Sequence, residues 1–381
     1  MKQDWEIAVF EKCLEKVTYT NKIQRKDFKQ DGIYPIVSQE KDFINGYWDN
    51  EEDLFKVDKP IVIFGDHTQV IKFIDFDFVL GADGVKILKP KDKIDSKYFY
   101  YFLQNVDLGR LGYARHYRLL KEINIDYPKS LPEQQRIVSI LDEAFAAIAK
   151  AKANAEQNLK NAKELFESYL QGVFEKKGDG WEEKRLLEVF EIKPPKKEAK
   201  EKLSDNDLVS FLPMEDLGVC EKQIKPEKER QLKDVAGSYT YFAEYDVLLA
   251  KITPCFENGK LGVAKNLTNG IGFGSSEYIV FRSPENIVPE FLFYFLSRKS
   301  FREEGRKFMS GAVGHKRVSK DWIENYLFSF PKSKENQQTI VRQLDALRAE
   351  TKKLEAVYQK KIDDLEELKK SILQKAFSGA L

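Results

Sequence analysis

The segment from Pro128 to Phe174 is present twice without a gap, and any fold for this chain has to place both copies. The first copy opens Pro128-Lys129-Ser130-Leu131-Pro132-Glu133-Gln134-Gln135-Arg136-Ile137-Val138 and closes Ser168-Tyr169-Leu170-Gln171-Gly172-Val173-Phe174. The second opens Pro331-Lys332-Ser333, passes through Gln337-Gln338 and Ile340-Val341, and closes Ser371-Ile372-Leu373-Gln374-Lys375-Ala376-Phe377. Subtracting Pro128 from Pro331, or Phe174 from Phe377, gives the same offset of 203.

Within each copy the apolar residues recur in alternating steps of four and three. The first set is Ile137, Leu141, Ala144, Ile148, Ala151, Ala155, Asn158, Ala162, Leu165 and Tyr169. The second is Ile340, Leu344, Leu347, Thr351, Leu354, Tyr358, Lys361, Leu365, Leu368 and Ile372. This spacing predicts a coiled-coil seam on helices of about 40 residues, ~60 Å long at the α-helical rise. A seam that long needs a partner, and the nearest is the other copy. Duplicated halves favour an antiparallel pair with pseudo-two-fold symmetry. Small Ala151 and Ala155 would then face large Leu354 and Tyr358, and Asn158 and Lys361 would fix the register as polar seam positions.

The expected organisation follows: an α+β domain over 1–130, a long helix over 131–176, a second α+β domain over 177–333 and a second long helix over 334–381. Each α+β domain is expected to be a small twisted β-sheet with helices. Only two copies exist, so this is a tandem duplication and not a solenoid. A chain of 381 residues has room for such domains. Net charge +1 argues against a nonspecific polyanion binder but leaves room for a local basic cleft. Three cysteines without zinc spacing predict a reducing, cytoplasmic setting. No apolar run reaches membrane-spanning length, and Met1-Lys2-Gln3-Asp4-Trp5 lacks the apolar core of a signal peptide.

In the first mixed segment, Lys59 to Phe64 and Val70 to Ile74 read as strands around the turn Gly65-Asp66-His67-Thr68-Gln69, and Gly84 to Pro90 as another. Ser96 to Gln104 reads as a helix with Ser96 as N-cap. Arg115 to Lys121 reads as a cationic loop, followed by a strand from Ile123 to Tyr127. The second segment keeps this order. Trp181-Glu182 echoes Trp5-Glu6, Tyr245 to Ile252 is a strand, and Gly274-Ser275-Ser276-Glu277 precedes the strand Tyr278 to Phe281. Pro289 to Ser297 matches the first helix, and Gly314 to Lys320 matches Arg115 to Lys121.

Catalytic motifs are lacking. There is no Gly-x-x-x-x-Gly-Lys-Ser/Thr phosphate loop. Lys193-Pro194-Pro195-Lys196 has a double proline but lacks the flanking residues of an amino-methyltransferase motif, and reads as a linker or loop. Asp92-Lys93-Ile94-Asp95-Ser96-Lys97 is a charged loop rather than a nuclease site. The three histidines have no ligand spacing, so no metal site is expected. Nucleic-acid binding fits better. Arg115, His116, Tyr117 and Arg118, and again His315, Lys316 and Arg317, supply cations for phosphates and for guanine. His67, Thr68, Gln69 and Lys72 in the first segment, with Lys251, Thr253, Lys260, Ser275 and Ser276 in the second, carry groups suited to base edges and backbone.

Taken together, Leu131 to Val138, the restart Gly180-Trp181-Glu182 and the duplicated domain-plus-helix plan resemble the specificity subunit of type I restriction–modification systems. The second copy departs from the motif, with Lys334-Glu335-Asn336 in place of Leu131-Pro132-Glu133. The resemblance implies two target recognition domains, each reading one half of a split, asymmetric double-stranded DNA sequence; domains reading from one DNA face would place the half-sites about one helical turn apart, roughly 34–36 Å. It implies that the helices separate the domains and dock two modification (adenine methyltransferase) subunits, that restriction (translocase/nuclease) subunits join, and that no membrane is involved. The subunit itself would be noncatalytic and hold no cofactor, with S-adenosylmethionine, ATP and Mg on the partners. Two alternatives are the specificity region of a fused restriction–methylation enzyme and a coiled-coil scaffold with no DNA role.

Overall fold

A computed structural model describes residues 4–109, 115–312 and 314–381; the first three residues of the amino-terminal stretch read above lie outside it. Two units emerge, Met1–Gln157 with Gln359–Leu381 and Asn158–Tyr358. Their borders fall inside the long helices, Leu131–Lys176 and Lys334–Ser378, and not at the helix starts where the sequence places the domain ends. Both helices begin at positions 203 apart, so the altered opening of the second copy does not move its start. Among the described residues no helix is long and apolar enough to cross a membrane.

In the first unit, Trp5–Val9 pairs antiparallel with Asn124–Pro128, Trp5 lying opposite Pro128 at the foot of the long helix. The β-branched run Ile61–Gly65 is the centre of a three-stranded antiparallel sheet, between Ile71–Ile74 and Val85–Leu88, and is buried along its whole length. A second sheet runs Lys22–Ile23, Phe78–Gly81, Tyr34–Val37, Gly46–Trp48. The helix Ser96–Asn105 is capped by Asp95 and not by Ser96: the Asp95 carboxylate accepts from the main-chain N–H groups of Lys97 and Tyr98, both at 2.9 Å. An ionised carboxylate is the stronger acceptor at the positive end of a helix.

In the second unit, Trp181–Arg185 pairs with Leu327–Pro331, Trp181 opposite Pro331. Val247–Ala250 is the buried centre of a five-stranded sheet. A four-stranded sheet runs Lys228–Gln231, Leu208–Leu212, Ile271–Gly274, Thr240–Ala243. The helix Pro289–Ser297 is buried on nearly every side.

The same set of contacts joins long helix to α+β domain in each unit. The fully buried Gln134 accepts from Asp95 N–H at 2.7 Å and donates to the carbonyls of Lys93 and Pro128, at 3.0 and 2.8 Å. Gln337, equally buried, accepts from Val288 N–H at 2.9 Å and donates to the carbonyls of Asn286 and Pro331, at 3.1 and 2.9 Å. Two turns on, Asp142 takes the Tyr101 hydroxyl and the Lys97 ammonium, while Asp345 takes those of Tyr294 and Lys222.

The helices run antiparallel within both units. In the first, Lys152 pairs with Glu366, and Leu373, Ala376 and Phe377 share a core with Ile137, Val138 and Leu141. The Phe377 ring sits edge-on against Tyr98 and Phe102 at 5.2 and 5.6 Å. In the second, Leu170 and Phe174 share a core with Val341 and Leu344, and Phe174 meets Phe291 and Phe295 at 5.2 and 5.3 Å.

The seam departs from the heptad reading. Leu165, Leu354 and Leu368 are 51%, 41% and 46% exposed, and Asn158, Lys361 and Tyr169 also face solvent. Ala144, Ala151, Ile340, Leu347, Tyr358 and Leu365 are half-buried. The fully buried line runs Ile137, Leu141, Ile148, Ala155, Ala162, Leu170, Phe174 on the first helix, and Val341, Leu344, Thr351, Leu373, Phe377 on the second. A straight α-helix drifts about 20° per heptad from a 3.5-residue repeat, so over five heptads the buried stripe moves by about one residue. Phe166 and Leu170 thereby replace Leu165 and Tyr169, and Asn158 and Lys361 lie on the solvent side.

Replacing Gln134 or Gln337 by Ala leaves three partly or fully buried main-chain groups without their side-chain partner and is expected to cost about 2–4 kcal/mol. Replacing the exposed Gln135 should cost under about 0.5 kcal/mol. Urea unfolding followed by circular dichroism checks both.

Candidate nucleic-acid interface

In the first unit the turn after Ile61–Gly65 closes tightly: Gly65 N–H donates to Val70 and Gln69 N–H donates to Gly65, both at 2.8 Å, with Gln69 at φ +57°. A Cβ on Gly65 would fall 2.2 Å from the Thr68 hydroxyl, so only glycine fits. The cationic segment is tied to this turn. His116 N–H donates to the Asp66 carbonyl at 2.8 Å, and Tyr117 N–H donates to the Asp66 carboxylate at 2.8 Å. The segment is also not a loop throughout, because Tyr117–Glu122 is helical.

These ties sort the expected contacts. His116 is buried, its Nδ1 3.1 Å from the Asp66 carbonyl. Tyr117 packs against Phe10 and lies under the ammonium groups of Lys86 and Lys121. Both are therefore structural, and Arg115 and Arg118 are left exposed beside the turn. Thr68 is exposed and donates to the Gln39 carbonyl at 2.6 Å, His67 N–H donates to the Gln39 side chain at 3.1 Å, and Gln69 donates to Gly109 at 2.8 Å. Thus the tip of the hairpin formed by Tyr34–Val37 and Gly46–Trp48 stands next to the Gly65–Gln69 turn.

In the second unit the strand Val247–Ala250 leads into the equivalent place. Val318 N–H donates to Lys251 and Thr253 N–H donates to Lys316, both at 2.9 Å. Arg317 grips the Glu277 carboxylate through Nε and Nη2, at 3.0 and 2.6 Å, and donates from Nη1 to the His315 carbonyl at 3.1 Å. That leaves one hydrogen free on each terminal nitrogen of a guanidinium held in a fixed plane. The Arg317 contact holds the Glu277 carboxyl below its usual range. Lys251 donates to the Ser276 carbonyl at 2.9 Å, and burial, with Lys193 and Arg317 nearby, pushes its ammonium down. Ser275 closes the turn by accepting from Glu277 N–H at 3.2 Å, and Thr253 donates to Glu257 at 3.1 Å. Ser276, His315 and Lys316 face solvent.

The sequence match of His116 with His315 is not kept. His116 precedes the helix Tyr117–Glu122, whereas the residue before the corresponding helix Lys320–Asn325 is Ser319, which caps it. The second cationic run lies a turn earlier, partly on the short strand Arg317–Val318. The two runs share a location against the hairpin turn, not an alignment.

Lys72 and Lys260 do not face outward as expected. Lys72 is 3% exposed, and its ammonium donates to the carbonyls of Asp42 and Phe43 and to Asn45 Oδ1. Burial pushes its pKa down to about 8, which leaves it charged at neutral pH. Lys260 donates to the carbonyls of Met214 and Glu215, at 2.7 and 3.3 Å. Each lysine holds two successive carbonyls of a neighbouring loop. In the other direction, Lys193-Pro194-Pro195-Lys196 is a loop with a surface role. With Tyr239, Tyr241, Tyr278 and Lys320, its Lys193, Pro194 and Lys196 line a cleft of about 360 Å³ next to Lys251 and Ser276. Lysines flanking a double proline were the available signal, but only the fold brings tyrosines opposite them.

Comparison with known proteins places this architecture. The family model described as type I restriction modification DNA specificity domain matches residues 9–160 and 178–364. The type I restriction enzyme EcoAI specificity subunit of Escherichia coli is 36% identical over 166 residues, covering 43% of this chain and 27% of that protein. The EcoR124I/EcoR124II specificity subunit of the same organism is 32% identical over 151 residues, 36% of this chain and 37% of that protein. The matches thus span only 27% and 37% of these curated relatives. A chain solved in work on complex assembly and conformational transition of the type I R-M system superposes with TM-score 0.71 at 16% identity, covering 100% of this chain and 99% of that one. The HsdS subunit from Thermoanaerobacter tengcongensis superposes with TM-score 0.53 at 17% identity over 100% and 98% of the two chains. With the family model covering both halves of the duplication, and the same fold in both neighbours, the chain belongs to the type I restriction–modification DNA specificity family.

Proposed function

We propose that this chain is the noncatalytic subunit that gives a type I restriction–modification assembly its DNA specificity. Each α+β domain, over 1–130 and 177–333, reads one half of a split, asymmetric target. The long helices dock two modification subunits, restriction subunits join them, and the partners bring S-adenosylmethionine, ATP and Mg. The observation that carries this reading is a hairpin turn in each unit with a cationic segment bonded against it, in a common position but with different side chains.

Arg115 and Arg118 are suited to phosphates and to the first half-site, and Arg317, oriented by Glu277, to a base edge or phosphate of the second. Lys193, Lys196 and Lys320 extend the positive surface around the cleft beside Lys251.

The test uses the chain assembled with its modification subunits, on a duplex whose target is found by methylome sequencing. Specific affinity should fall steeply with salt, and a salt-insensitive or absent affinity would leave only a scaffold. Arg118→Ala should weaken binding uniformly and reduce the salt slope by about one. Arg317→Ala should cost more, roughly 10- to 100-fold, because it also bares the Glu277 carboxylate to the DNA. Adding Glu277→Gln should recover part of that loss; no recovery would mean that Glu277 does not face the nucleic acid.

A further inference from the structure

The hairpin tip between Tyr34–Val37 and Gly46–Trp48 carries two consecutive large apolar residues in the open, Phe43 at 50% and Ile44 at 39% exposure. One ring contact, with Phe76 at 6.0 Å, accompanies Phe43. The tip is nevertheless firmly held. Asn45 Oδ1 accepts from Ser38 N–H at 2.8 Å and from Lys72, and the Asn45 amide donates to the Asp42 carbonyl at 3.1 Å. Lys72 grips the carbonyls of Asp42 and Phe43 from beneath.

Burying an ammonium is costly unless it is fully bonded, and every bond of this one goes to the loop that displays Phe43 and Ile44. The same tip touches the candidate interface, because Gln39 bonds both His67 and Thr68. The geometry points to an apolar wedge: Phe43 and Ile44, on a loop fixed by Lys72, enter the DNA base stack beside the first half-site and bend the duplex. This rests on the DNA-reading function proposed above and adds a mode of readout to it. Side chains of these two types pry base steps apart in architectural DNA-binding proteins, kinking the duplex by roughly 20–90°. Prying favours deformable steps, so the wedge would select sequence without a hydrogen bond. Lys72 acts as its positioning residue. In the second unit Lys260 holds the loop of Met214 and Glu215 in the same manner, with no such pair at its tip.

The experiment takes the chain assembled with its modification subunits and the methylome-derived duplex, labelled at its ends for energy-transfer measurement of bending. The double variant Phe43→Ala, Ile44→Ala changes exposed residues only and should fold, which circular dichroism verifies. It should bind roughly tenfold more weakly, the size expected for losing an aromatic contact with a base, bend the DNA less, and methylate sites that vary more at the base step beside the first half-site. In Phe43→Trp, the indole should become protected from acrylamide when DNA is added. Unchanged affinity and bend, or an indole quenched equally with and without DNA, would overturn the wedge while leaving the DNA-reading function intact. Weaker assembly with the modification subunits at unchanged DNA affinity would overturn it too, by making the pair a protein contact. Failure of the unmodified assembly to bind the duplex at all would instead remove the function on which the wedge rests.

Discussion

A strand, a loop and the start of a long helix converge on one point in each unit, where a buried glutamine side chain meets main-chain groups that are partly or fully shielded from water. A single glutamine amide resolves this, because it alone among the neutral side chains combines an acceptor and two donors at the end of a flexible stem. Gln134 and Gln337 each satisfy one N–H and two carbonyls, fixing where the helix leaves the sheet domain. The aspartates two turns later lock its rotation by holding a tyrosine hydroxyl from the domain's own helix.

The loops of the candidate interface carry different side chains in the two units. The hairpin turns are supported from the main chain: Asp66 is bonded to the backbone of two residues in the first unit, and Lys251 and Thr253 exchange backbone bonds with the cationic strand in the second. Lys72 and Lys260 likewise hold carbonyl oxygens. Carbonyls are common to all residues, so these supports tolerate changes in the loop side chains.

The sequence was most readable where structure is local and repeated. The 203-residue offset predicted two matched helices, and their antiparallel course followed from the duplication. The strand around Ile61 to Phe64 and the helix near Phe99 followed from period and capping, although Asp95 outcompeted Ser96 as cap. On the first helix the seam misled at Leu165 and Tyr169 because a fixed heptad was imposed on a helix that keeps its natural twist. The site was harder. Whether Lys72 meets phosphate or a buried carbonyl is decided by a loop about thirty residues away, and what Arg317 faces by Glu277, forty residues away. No spacing in the chain encodes those meetings. The glutamine pair was visible as part of a motif, but its three-way bonding appears only once the sheet domain is folded around it.

The exchange of helix ends has a consequence for biosynthesis. Tyr98, Phe102, Ile137 and Leu141 of the first unit share their core with Leu373, Ala376 and Phe377, and the Phe377 ring meets Tyr98 and Phe102. Domains of a growing chain ordinarily fold in the order in which they emerge. Here the unit that begins first on the ribosome is completed last, after the whole second unit has been translated. Until then its apolar flank stays open, and a nascent chain halted short of Phe377 would carry an exposed aromatic surface for chaperones and proteases to find.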